Sequence, residues 1–113
     1  MSPIKFSLSD ATRKLADADD NFVTLMTGRH GRLLLFAPEG QDKQTPHTQD
    51  EFYIVLSGSG SFRRAEETVS FVAGDVLFVP AQMPHRFENF SDDFQTWVIF
   101  FGPGSQDSGE AAP

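Results

Sequence analysis

Eight short apolar segments recur along the chain at strand length: Phe22 to Met26, Arg32 to Phe36, Glu51 to Leu56, Ser61 to Arg63, Thr68 to Val72, Val76 to Val79, His85 to Phe90 and Thr96 to Phe101. The intervals between them hold Gly28-Arg29-His30-Gly31, Pro38-Glu39-Gly40, Ser57-Gly58-Ser59-Gly60, Ala73-Gly74-Asp75 and Pro80 to Pro84. Those residues suit turns that need a positive or a fixed φ. Short strands at this spacing predict an all-β sandwich or barrel. Ahead of them, Ser7 to Asp17 predicts one short helix, with Ser7 as N-cap and Leu8, Ala11 and Leu15 on one side. Beyond Gly102 the chain changes to Gly, Pro, Ser and acidic residues without periodicity. The expectation is one domain over residues 1–103 and a flexible tail over 104–113.

Two segments depart from simple alternation. Glu51 to Leu56 and Thr96 to Phe101 are apolar at successive positions, whereas a strand with one wetted face shows polar residues at every second one. Something must cover their second face: a partner subunit, a helix, a second sheet or the N-terminal segment. The prevalence of two-fold homo-oligomers makes a homodimer the expectation.

Composition narrows the function classes. A chain of 113 residues has the length of one domain, and its 12 phenylalanines favour bulky β-prone packing. A formal net charge of -7 disfavours nucleic acid and anionic membrane surfaces as partners. No cysteine is present, so disulfides, thiolate ligands and thiol nucleophiles are excluded, and any metal must use nitrogen and oxygen donors. The N-terminus lacks a basic start followed by an apolar stretch, and the longest apolar runs, Leu33 to Ala37 and Trp97 to Phe101, are too short to span a bilayer. A cytoplasmic protein is expected.

Two of the three histidines fall in the chemically informative segments, Thr45 to Gly58 and Gly74 to Asn89. In an extended first segment, His47, Gln49, Glu51 and Tyr53 share one face, because strand side chains alternate. In the second, the turn Pro80 to Pro84 delivers His85 to the start of a strand, with Phe87 and Asn89 on its face. Two imidazoles and one carboxylate aimed at one point would suit a divalent transition metal with open coordination positions.

Together these segments resemble the two sequence motifs of the cupin superfamily, over roughly Thr45 to Asn89. In the first motif, Glu51 and Gly58 keep the family spacing, and His47 stands where the family has its second histidine. In the second, Gly74, Pro80, His85 and Asn89 all match in order and spacing. Two positions depart: Thr45 occupies the place of the first histidine, and Gln82 that of the glycine between proline and histidine. The resemblance implies a single cupin-like β-barrel, or jelly roll, and a metal site of three histidines and a glutamate. Here it retains His47, Glu51 and His85.

Other residues carry lesser roles. Gln49 is a weak fourth ligand or a pocket amide bonded to the backbone. Thr45 is a partner for a metal-bound water or a turn residue before Pro46. Tyr53 is a proton-transfer group or, preferably, packing. His30 is a solvated loop histidine or, alternatively, a residue at the edge of the pocket mouth. Asp75 and Asn89 serve the backbone turns, and Arg63, Arg64 and Arg86 pair with neighbours such as Glu66 or Glu88.

The implied function is a metal-dependent enzyme for a small, oxygen-bearing metabolite, using one iron, manganese, nickel or zinc ion in dioxygenase, isomerase or lyase chemistry. The alternatives are a non-catalytic small-ligand-binding or sensing module, and a metal-free isomerase with a histidine base.

Overall fold

The computed structural model describes residues 3–42, 45–102 and 113. Helix α1 (Leu8–Ala16) starts at Ser7, which has an extended backbone and whose hydroxyl accepts the amide of Asp10 at 3.2 Å, and ends at Asp17. The strands follow as β1 (Phe22–Thr27), β2 (Gly31–Phe36), β3 (Asp50–Ser57), β4 (Ser59–Arg64), β5 (Glu67–Val72), β6 (Val76–Val79), β7 (His85–Glu88) and β8 (Gln95–Phe101). All eight expected strands and the helix are present. Boundaries shift by a residue or two, where turn hydrogen bonding rather than apolarity decides the end.

The motif glycines explain two turns. Gly58, between β3 and β4, has φ +86 and Gly74, before β6, has φ +97, a region that costs residues with a Cβ. Asp75 closes the second turn by accepting the Val72 amide at 2.9 Å.

All strand pairs are antiparallel, in a five-stranded sheet ordered β1-β2-β8-β3-β6 and a three-stranded sheet ordered β5-β4-β7. The sheets face each other as a jelly roll and, among the described residues, are not joined into a barrel by hydrogen bonds. Side chains directly opposite on neighbouring strands share a face. Leu34, Val98, Tyr53 and Leu77 therefore form one inner row of the larger sheet, and Arg32, Phe100, Glu51 and Val79 the next. The smaller sheet contributes Phe62 opposite Phe87, with Phe71, Phe87 and Phe94 in mutual ring contact. This aromatic core accounts for most of the buried phenylalanines.

The second apolar face of the larger sheet is covered in pieces. Helix α1 packs on β1 and β2, where Ala11 and Leu35 are buried. On β3, β6 and β8, Phe52 stacks on Phe101 and tilts against Phe78, both at 5.2 Å. Val76 and Phe78 stay exposed. Among the described residues no helix is long and apolar enough to cross a membrane. The expected tail lies outside the described residues except for Pro113, which is buried.

Candidate metal centre

Glu51 reaches the interior because β3 alternates its side chains: Glu51, Tyr53 and Val55 are buried between half-buried neighbours. His85 opens β7 with its side chain facing inward, and His47 approaches from the segment before β3. Their ligand atoms lie within 4.8 Å of one another, so this group could hold a metal ion. His85 Nε2 lies 2.9 Å from Glu51 Oε1, and His47 Nε2 lies 4.0 Å from the same oxygen.

The contacts around His85 define what the site can hold. His85 Nδ1 lies 2.9 Å from the carbonyl of Met83, an oxygen that can only accept, so Nδ1 carries the hydrogen. In the neutral ring Nε2 then presents a lone pair to the oxygen of Glu51. Two acceptors at this distance need positive charge between them, a proton or a cation. Among the described residues neither Glu51 oxygen nor His47 Nε2 has a geometrically satisfied hydrogen bond, although all three atoms are buried. Such groups are rare in native interiors without a function. The donor set, two imidazoles and a carboxylate, fits a divalent transition metal.

Electrostatics follow the same geometry. Burial opposes protonation of His85, but the Glu51 carboxylate, with help from the Met83 carbonyl and Asp42, outweighs it and raises the pKa. Burial pushes His47 down; Glu51 and a backbone hydrogen bond to Pro113 oppose this only in part, and the charges of His85 and Arg32 add to the fall.

The remaining expected residues separate into roles. Gln49 is buried, and its Nε2 donates to the carbonyl of Gly102 at 2.8 Å, so its amide serves the backbone. Thr45 is exposed. Tyr53 is fully buried, with its ring edge-on to Phe62 and Phe87. His30 is exposed, and its carbonyl accepts the Gly102 amide. Asn89 adopts φ +52 at the end of β7, consistent with a turn role. Arg63 pairs with Glu88 at 3.7 Å, whereas Arg64 pairs with Glu67 rather than Glu66, because β4 and β5 place Glu67 directly opposite.

Two interior charges escaped the sequence reading. Asp42 is 3% exposed and accepts the amide of Phe87 at 2.8 Å, fixing β7 two residues past His85. No pattern around Asp42 announces it, since its partner is 45 residues away. Arg32 is also buried, and here a signal existed: it falls in the same alternating register as Leu34 and Phe36.

Comparison with known proteins agrees with this architecture. The cupin domain family model matches residues 32–101. The uncharacterized protein SCO3923 of Streptomyces coelicolor is 32% identical over 102 residues, covering 88% of this chain and 97% of its own. A cupin superfamily protein from Desulfitobacterium hafniense is similar in structure, with a TM-score of 0.64 and 21% identity over 89% of this chain and 94% of that one. The DMSP lyase DddQ of Ruegeria pomeroyi superposes with a TM-score of 0.64 at 20% identity, covering 72% of this chain; this chain spans less than half, 46%, of that enzyme.

Proposed function

The chain belongs to the cupin domain family, and from that premise we propose that it is a metal-dependent enzyme for a small, oxygen-bearing metabolite, with one divalent transition metal ion held by His47, Glu51 and His85. One observation carries the reading: two imidazoles and a carboxylate, far apart in sequence, bring ligand atoms within 4.8 Å of one another in a buried place where Glu51 and His85 oppose each other.

A bound divalent ion would supply a Lewis acid for a substrate carbonyl or carboxylate oxygen. The protein's own contribution is positioning. Met83 holds the ring of His85 in the tautomer that points Nε2 inward. Phe100 meets the ring of His47 edge-on, with centroids 4.9 Å apart, and fixes its plane. Glu51 lies between Phe100 and Val79 in its row, where an apolar wall excludes water and strengthens charge interactions. Three protein ligands leave coordination positions for substrate. A second copy of the chain over Val76 and Phe78 would complete the cover of the outer face, so a homodimer belongs to this proposal.

The test is elemental analysis of purified protein and of His47→Ala and His85→Ala, with circular dichroism as the control for folding. About one ion per chain is expected in the wild type, with little in either folded variant. Variants that keep the metal, or a wild type that retains none after loading with iron, manganese, nickel and zinc in turn, would sink the proposal. Metal-dependent ligand binding without turnover would favour the sensing module over the enzyme.

A further inference from the structure

His47 makes a contact that the metal set does not explain. It lies in the segment ahead of β3, where no strand ladder holds it, and its side chain is 10% exposed. Its Nε2 is buried, 4.0 Å from Glu51 Oε1, with no hydrogen-bond partner among the described residues. The ring nevertheless makes a hydrogen bond to the backbone of Pro113. Proline has no amide hydrogen, so its main-chain oxygen is the acceptor and the imidazole is the donor. With Nε2 unpaired, the donor is Nδ1.

Pro113 is buried, and a second bond brings the chain beyond β8 to the same place. Gln49, two residues on from His47, donates its Nε2 to the carbonyl of Gly102 at 2.8 Å, just past the end of β8. One short segment ahead of β3 therefore holds both Gly102 and Pro113.

The arrangement repeats the one at His85, where the Met83 carbonyl faces Nδ1 at 2.9 Å. A neutral imidazole carries one ring hydrogen, so an acceptor at Nδ1 leaves the lone pair on Nε2. Histidines that bind a metal commonly give their other ring hydrogen to a carbonyl or carboxylate, which fixes the tautomer and the ring orientation. At His85 the acceptor is two residues away, whereas at His47 it comes from beyond β8. The edge-on ring of Phe100 sets the plane of His47, but it does not choose which nitrogen carries the hydrogen.

We propose that Pro113 is a positioning residue of the metal centre: its main-chain oxygen takes the Nδ1 hydrogen of His47, and Nε2 is thereby presented to the ion. Its purpose rests on the metal-centre reading, whereas the tautomer stands on the contacts of His47 alone.

The experiment compares the full chain, a variant ending at Gly102, which keeps the Gln49 contact, and that variant with a synthetic peptide of residues 103–113 added. Circular dichroism controls for folding. Long-range proton–nitrogen NMR spectra of metal-free protein at about pH 8, where an ordinary imidazole is neutral, read the tautomer of His47, with His47→Ala assigning the signals. Zinc titration against a competing chelator reads affinity. The full chain should hold the hydrogen on Nδ1, and the shortened chain should shift towards the Nε2 form and bind zinc about tenfold or more weakly. The peptide should restore part of both. If the shortened chain does not fold, the tautomer in the full chain carries the test. The proposal is overturned if the full chain carries the hydrogen on Nε2, if shortening leaves the tautomer unchanged, or if a zinc-binding full chain loses no affinity when shortened. Tighter zinc binding in the shortened chain would make Pro113 an obstacle and overturn it as well. A full chain that binds no metal but shows the tautomer shift would refute the metal centre and leave the bond between His47 and Pro113 standing.

Discussion

The amide of Gln82 donates to the carbonyl of His47 at 2.6 Å, so the turn that delivers one candidate ligand is bonded to the backbone of another. Gln82 makes this bond at φ +69, the left-handed region, at the position where the cupin motif has glycine. A side chain there costs about 1–2 kcal/mol, part of which glycine returns as greater freedom in the unfolded chain. Gln82→Gly is expected to stabilise the protein by about 0.5–1 kcal/mol, read by urea unfolding. A loss of stability would show that the exposed Gln82 side chain does more than occupy the turn.

The other motif glycines separate two costs. A Cβ on Gly58 would lie 2.6 Å from the Cα of Phe94 at φ +86, whereas one on Gly74, at φ +97, would meet nothing within 4 Å. Gly74→Ala should lose about 1–2 kcal/mol, the conformational penalty alone. Gly58→Ala must also move backbone, and should lose about 3 kcal/mol or more or fail to fold. Equal losses would contradict the crowding at Phe94.

Asp42 offers a test of how β7 is held. Its carboxylate accepts the Phe87 amide in a buried setting, and removing it leaves that donor unsatisfied. Asp42→Ala should cost on the order of 2 kcal/mol and weaken metal binding, because His85 sits on the same strand. An Asp42→Ala protein with wild-type metal affinity would mean that β7 keeps its place without this bond.

The two histidines should give opposite pH dependences in metal-free protein. The raised pKa of His85 adds stability that is fully present below the unfolded value, about 6.5, and is lost as pH rises through the folded value. The lowered pKa of His47 removes stability as pH falls below that same value, because the unfolded chain takes up the proton first. Chelated His47→Ala should therefore lose stability as pH rises above about 6.5, and chelated His85→Ala should gain it as pH rises towards that value. Urea unfolding across the range reads both slopes, and slopes of the same sign would refute the assignment. Metal affinity should rise with pH through the His85 value, because the ion replaces a proton.

Much of the molecule was legible because the relevant physics is local. Alternation along a strand placed Glu51 and Tyr53 on one face, and turn-forming residues marked five of the seven intervals between the strands. The cupin spacing then paired His47 and Glu51 with His85 across the chain, and the geometry brings those three together. Local pattern could not assign Gln49, whose partner is the carbonyl of Gly102, or separate a packed Tyr53 from a reactive one.

What the sequence determined by itself was periodicity: backbone stereochemistry fixes which side chains alternate and where a chain must turn. Tertiary structure alone decided that Asp42 holds Phe87, that Arg32 lies over Phe100 beside His47, and that two sheets face each other without closing into a hydrogen-bonded barrel. Those contacts join residues tens of positions apart, and their existence depends on strand order and register, which emerge only when the whole interior packs at once.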